Sequence, residues 1–265
     1  MNRPSCLLAS ALTAGMLLST AACSSFGDRA GSGDTDVPAS AMAKDSPTAT
    51  TLTQEQAQAA LITNSDLGSQ WTATQGTATW HDSLLKGKVD ANAFVTNKQN
   101  AVDCQKLLDG LYAEDLLGDP KGGQAATTFD DSGNNAQMRY QVAGYAKADV
   151  DAKLAWLKTL PDKCDQFPAV DAQGAQQNIQ VISTSPPNVG DARQGLQITV
   201  DGEVDGAPST LTLDFVAVRV GDSALSLTNG GLEGAEQDST EQAVQAGTTR
   251  LKDVLAGKTP PPTQG

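Results

Sequence analysis

The sequence predicts an α+β fold, an antiparallel sheet with helices packed mainly on one face. Three observations carry that expectation. First, residues 196–200 (LQITV), 210–220 (TLTLDFVAVRV) and 224–228 (ALSLT) are consecutive strand-like runs joined by turn residues, which reads as a meander. Second, Leu196, Ile198 and Val200 alternate with polar residues, as do Leu211, Leu213 and Phe215, and Leu225 and Leu227. One-sided alternation places a helical layer over a single face. Third, the segments between the strands carry helical periodicity with recognisable caps.

The helices follow in order. Thr53 with Gln56 forms a capping box, in which each side chain satisfies the other residue's backbone N–H, so a short helix is expected to about Ile62. Residues 103–118 (DCQKLLDGLYAEDLLG) place Leu107, Leu108, Leu111 and Leu116 near one face, with Asp103 as cap and Gly118 as stop. Residues 147–164 (KADVDAKLAWLKTLPDKC) place Val150, Leu154, Leu157 and Leu160 on one face and are expected to end before Pro161. A last helix, Thr240 to Ala256, carries Val244, Leu251, Val254 and Leu255 and stops at Gly257. Residues 136–142 (AQMRYQV) add a further alternating strand.

The ends of the chain are of another kind. Residues 1–22 hold Arg3, an apolar stretch and a run of small residues, the pattern of a secretory signal. The placement of Cys23 after that run resembles a bacterial lipobox, with Thr20 where leucine is usual, and implies a lipidated cysteine at the mature N-terminus. Ordinary cleavage leaving a free thiol is the alternative. Residues 23–50 are rich in Ser, Thr, Ala, Gly, Asp and Pro and read as a flexible tether. Residues 51–257 are the expected domain and 258–265 a disordered tail. The expected location is the outer face of the cytoplasmic membrane, with the membrane reached through the lipid.

Export sets the reading of the cysteines. Cys6 leaves with the signal and Cys23 takes lipid, so Cys104 and Cys164 remain as a disulfide pair in an oxidising compartment. A zinc site would need more ligands than these two and His81, the single histidine. The net charge of −13 disfavours nucleic-acid partners.

No catalytic constellation emerges. Gly221, Asp222 and Ser223 match the first three residues of a Gly-Asp-Ser-Leu hydrolase block, but they lie between two strand-like runs and no histidine follows them. A hairpin turn is expected there. His81, Asp82 and Ser83 are consecutive, so their side chains diverge too far to form a triad. Residues 129–137 (FDDSGNNAQ) have the acidity of a calcium loop, but Asn135 and Gln141 stand where an EF-hand needs Gly and Glu. No metal or cofactor is expected. Trp71, Trp80 and Trp156 could all line a pocket, although tryptophan is more often core, and Trp71, Trp80 and His81 are the candidates for the rim of a ligand site.

Residues 59–71 (AALITNSDLGSQW) resemble a recurrent opening of exported actinobacterial proteins, and residues 155–164 (AWLKTLPDKC) resemble the Trp-containing helix and following cysteine of PknH-like extracellular sensor domains. Residues 216–228 (VAVRVGDSALSLT) and the last helix fit the same pattern, so the resemblance spans about residues 50 to 257. It implies a twisted antiparallel sheet, packed helices and a cleft for an unidentified ligand. The kinase-linked members carry a second disulfide, whereas this chain has cysteines for one and no kinase. The expected function is therefore a non-catalytic envelope lipoprotein that binds or senses a small molecule, a cell-wall component or an envelope protein. An assembly factor contacting another protein and an unrecognised envelope hydrolase are the alternatives.

Overall fold

The computed structural model describes residues 51–75, 84–131 and 133–259. The signal, the tether and Cys23 lie outside these residues.

A nine-stranded antiparallel sheet organises the chain, in the order β1-β3-β4-β9-β8-β7-β6-β5-β2. Its centre is the expected meander, β7 (Ala192–Val204), β8 (Ala207–Val220) and β9 (Ser223–Gly231). Asp205 and Gly206 close the first hairpin with φ of 53° and 77°, the left-handed pair that a tight turn requires. Gly221 and Asp222 close the second, with Gly221 at φ 59°. β4 (Ala136–Gly144) and β3 (Gln124–Asp131) extend the sheet beyond β9, and β1 (Thr72–Thr74) ends it. On the other side lie β6 (Gln176–Thr184), β5 (Gln166–Val170) and the two-residue β2 (Lys88–Val89).

The helices divide between both faces, where the sequence reading put them mainly on one. α3 (Lys98–Ala113) and α4 (Lys147–Lys163) cover one face over β5 to β8. α1 (Gln54–Ala59), α2 (Asn64–Leu67) and α5 (Gln237–Leu255) cover the other over β3, β4, β9 and β8. The physical reason lies in β8. Leu211, Leu213, Phe215 and Ala217 point into the α3/α4 core. Val216, Val218 and Val220, of the opposite parity, point into the α5 core. Alternation reports a one-sided strand, and from Phe215 to Val218 β8 is apolar on both sides. The expected α+β antiparallel class holds, with two cores on one sheet.

Helix ends differ from expectation at several places: α1 ends at Ala59, short of Ile62, α3 ends at Ala113, short of Gly118, and α5 starts at Gln237, before Thr240. α3 starts at Lys98 with Asn97 as its cap, the Asn97 side chain accepting from Gln99 N at 3.0 Å. Asp103 is thereby an interior residue of the helix. α4 runs through Pro161 to Lys163. Proline in the final turn deprives the Leu157 carbonyl of its donor without interrupting a longer helix. The Thr53–Gln56 capping box forms as expected, and Gly257, φ 72°, follows the Ala256 C-cap of α5, with Gly257 N on Val254 O and Lys258 N on Asp253 O.

Cys104, within α3, and Cys164, the C-cap of α4, are bonded, with a Cα–Cα distance of 5.6 Å. Beside the bridge, Asp103 receives Trp156 Nε1 at 3.0 Å and Lys163 Nζ at 2.6 Å. Burial pushes the Asp103 carboxyl up, but Lys163 and Trp156 outweigh it and hold the group below the usual carboxylate range.

Candidate functional site

A hollow of about 660 Å³ runs along α3 on the side turned away from the sheet. The helix pattern explains its shape. Cys104, Leu107, Leu108 and Leu111 form the buried stripe of α3. Lys98, Val102, Lys106, Asp109 and Ala113 fall on the opposite side and line the hollow. Small side chains make the depth. Ala91, Ala101, Gly110 and Ala113 leave space, and a Cβ on Gly110 would stand 2.6 Å from Leu116 Cδ2, so glycine there lets Leu116 fold against the helix.

Each wall is fixed by polar links. On one side, Gln105 ties β2 to α3: its Oε1 accepts from Val89 N at 2.8 Å and its Nε2 donates to Gly87 O at 3.1 Å. The same amide donates to Asp109 Oδ1 at 2.8 Å. On the other side stands Trp156, held through its indole N–H by Asp103. The Lys106 ammonium lies 4.4 Å from the Trp156 ring centroid, a cation–π contact. The far end of the groove is the turn after α3, with Leu116, Gly118 and Asp119, and Lys153 of α4 beside it.

This site is of the size and mixed apolar and polar character of small-molecule clefts. What it offers is contact area, an aromatic face and cationic points. Among the described residues no three His, Cys, Asp or Glu side chains converge as a metal site.

The residues singled out in the sequence are placed as follows. Trp71 is 1 % exposed and sits in the α5 core, its Nε1 donating to Ser239 Oγ at 3.2 Å. It is therefore a core residue and not part of a rim, because the strand and α5 close over its ring. Trp80 and His81 lie outside the described residues. Trp156, left undecided by the sequence, is the tryptophan that borders the groove. Ser223 is buried at the first position of β9, paired with Gly144 and Val220. The turn before it is fastened by Asp191, which accepts from Gly221 N at 2.7 Å and from Arg219 Nη1 at 3.2 Å. Arg219 also donates through Nε to Asp151 Oδ1 at 2.7 Å, joining β8 to α4. Of residues 129–137, Phe129–Asp131 and Ala136–Gln137 are the paired ends of β3 and β4.

No family model matches the chain, and no curated protein matches it. A solved structure similar to it is the extracellular domain of PknH from Mycobacterium tuberculosis, which is 13% identical with a TM-score of 0.43, over 79% of this chain and 100% of that chain. A likeness of that degree transfers neither residues nor activity.

Proposed function

We propose that this chain is an exported envelope lipoprotein, anchored through lipid on Cys23, whose domain binds an extracytoplasmic ligand without transforming it. The groove along α3 is the observation that carries the binding part of this reading: it joins a hollow of about 660 Å³ with an aromatic wall and lysines. The export part rests on residues 1–23, where a positive start, an apolar stretch and small residues lead to a cysteine. Proton-transfer chemistry needs tuned acid–base groups within hydrogen-bond reach of one another and of a substrate. Ser223 is buried in a strand, and the carboxylates at the groove, Asp109, Asp115 and Asp119, are exposed side chains.

The test uses the exported domain and fractions of an envelope extract. A binding fraction raises the melting temperature in step with RT ln(1 + [L]/Kd), and Trp156→Ala removes the rise. Esterase, peptidase and glycosidase panels give no turnover. Reproducible turnover that Ser223→Ala or a single carboxylate change abolishes overturns the reading. Replacing Cys23 with Ala releases the protein from membranes or leaves its signal uncut; normal processing with full membrane retention contradicts the anchor.

A further inference from the structure

We infer that the ligand of the α3 groove is a single-chain amphiphile with an anionic head, its head beside Lys98 and its chain laid past Lys106 toward Ala113 and Leu116. The inference rests on the groove being the binding site.

Shape comes first. The lining runs from Lys98 to Ala113 along one side of one helix. At about 1.5 Å per residue that is a furrow of about 24 Å, long enough for one extended chain. Val89, Ala101, Val102, Ala113, Leu116 and Trp156 give it an apolar surface. Val102 is 57 % exposed in the middle of this surface, an apolar side chain left to solvent between two lysines one helical turn away on either side.

Charge then sets the class. The protein carries −13, yet residues 86–163, which hold α3 and α4, contain nine of its twelve lysines. With one arginine against eleven acidic residues, that segment is at −1, so almost all the negative charge lies elsewhere. An anion repelled by the rest of the molecule meets little repulsion here.

The groove is also polarised along its length. Lys98 stands at the N-terminal end of α3, where the positive end of the helix dipole adds to it, and Lys106 lies near the middle of the helix. Among the described residues Lys98 has no ion-pair partner within 4.0 Å. Of the acidic residues, Asp109 already accepts from Gln105, and Asp115 and Asp119 lie at the other end. Lys153, at that end, sits over the Gly118 turn. An anionic head is thus favoured at the Lys98 end and disfavoured at the Asp115–Asp119 end, which orients the chain.

Quenching of tryptophan emission by a bromine-tailed amphiphile tests this directly. The probes are bromoundecanoate and the same tail bearing trimethylammonium, each below its micellar concentration. The proteins are the wild-type domain, Trp156→Phe and the double variant Lys98→Glu with Lys106→Glu; both lysines are exposed, so folding is not at stake. The carboxylate is expected to quench, to lose most of its quenching in Trp156→Phe, and to bind at least about tenfold more weakly to the double variant. Equal or stronger quenching by the ammonium probe overturns the anionic assignment while leaving the groove as the site. Displacement of bromoundecanoate by oleate or by a single-chain phosphate lipid supports the assignment and separates a carboxylate from a phosphate head; displacement by neither overturns it. Quenching that persists unchanged in Trp156→Phe, or none by either probe, overturns both the amphiphile and the groove.

Discussion

The two helical layers use one sheet in opposite ways. The α5 layer is filled. Trp71, Tyr140 and Phe129 are fully buried in it, and Gly247 lies so close to Tyr140 that a Cβ there would meet the ring at 2.5 Å. Its polar groups are turned inward as fasteners: Arg250 holds Asp66 of α2 at 2.9 Å, and Trp71 bonds Ser239. The α3/α4 layer is stapled by a disulfide and left open on its outer side, with Trp156 and Lys106 at a groove instead of in a core. A layer that keeps a cleft gives up packing, and a covalent bond between its helices compensates. If the groove is the binding site, as proposed, binding and fold stability are separated onto opposite faces.

The largest test of that separation is loss of the bridge. Cys104→Ser with Cys164→Ser removes a cross-link 60 residues apart, with an expected cost of about 4 kcal/mol in the chain-entropy picture, measurable by urea unfolding. The loss should fall on α3 and α4 first, seen as hydrogen exchange that rises there before α5. Uniform loosening of both layers would break the comparison.

The counterpart on the other face is Arg250→Met. Arg250 is buried but Asp66 is half-buried, so removing the arginine costs less than breaking a fully buried pair, about 2 kcal/mol, and ligand affinity at the α3 groove should stay unchanged. Gly247→Ala is expected to cost less, about 1–2 kcal/mol, because the strain against Tyr140 is partly offset by better helix propensity.

How much of this was legible in the sequence follows from the same two layers. The meander, its turns, the capping box, the Gly257 stop and the cysteine pair were readable because each is a local signal. The second face was not. Phe215 to Val218 is a short continuous apolar run, which does not declare which side each residue covers. β5 and β6 were missed because Pro168 and the glutamines at 166, 173, 176 and 177 disguise strands whose inward residues, Phe167, Ala169, Ile179 and Val181, are few. The groove was illegible for another reason. It is made of what α3 lacks, at Ala101, Gly110 and Ala113, and small residues carry no signal of a cavity until the walls are placed. Trp71 was preferred over Trp156 as a rim residue because sequence alone gives no burial.

Two carboxylates sharpen the comparison through the sign of their pH effects. Asp103, in the α3/α4 layer, titrates below its ordinary value of 3.8 because Lys163 and Trp156 outweigh its burial. Its contribution to stability is present above that value and is lost as pH falls toward the lower folded value. Asp214, facing α5, is raised by burial despite hydrogen bonds from Gln197 and Thr240. Its charge therefore costs stability above its folded value, and the cost disappears as pH falls through 3.8. Asp214→Asn should raise the melting temperature slightly at neutral pH, and Asp103→Asn should lower it. Thermal melts from pH 3 to 7 compare the two; the same sign for both variants would contradict the assignment of opposite roles.

Hydrogen exchange with and without a bound envelope ligand tests the central claim most directly. The account predicts that ligand slows exchange along α3, Lys98–Ala113, and around Trp156, leaves α5, Gln237–Leu255, unaffected, and that filling the groove with Ala113→Trp abolishes the effect. Protection centred on α5, or protection of α3 that survives Ala113→Trp, would contradict it.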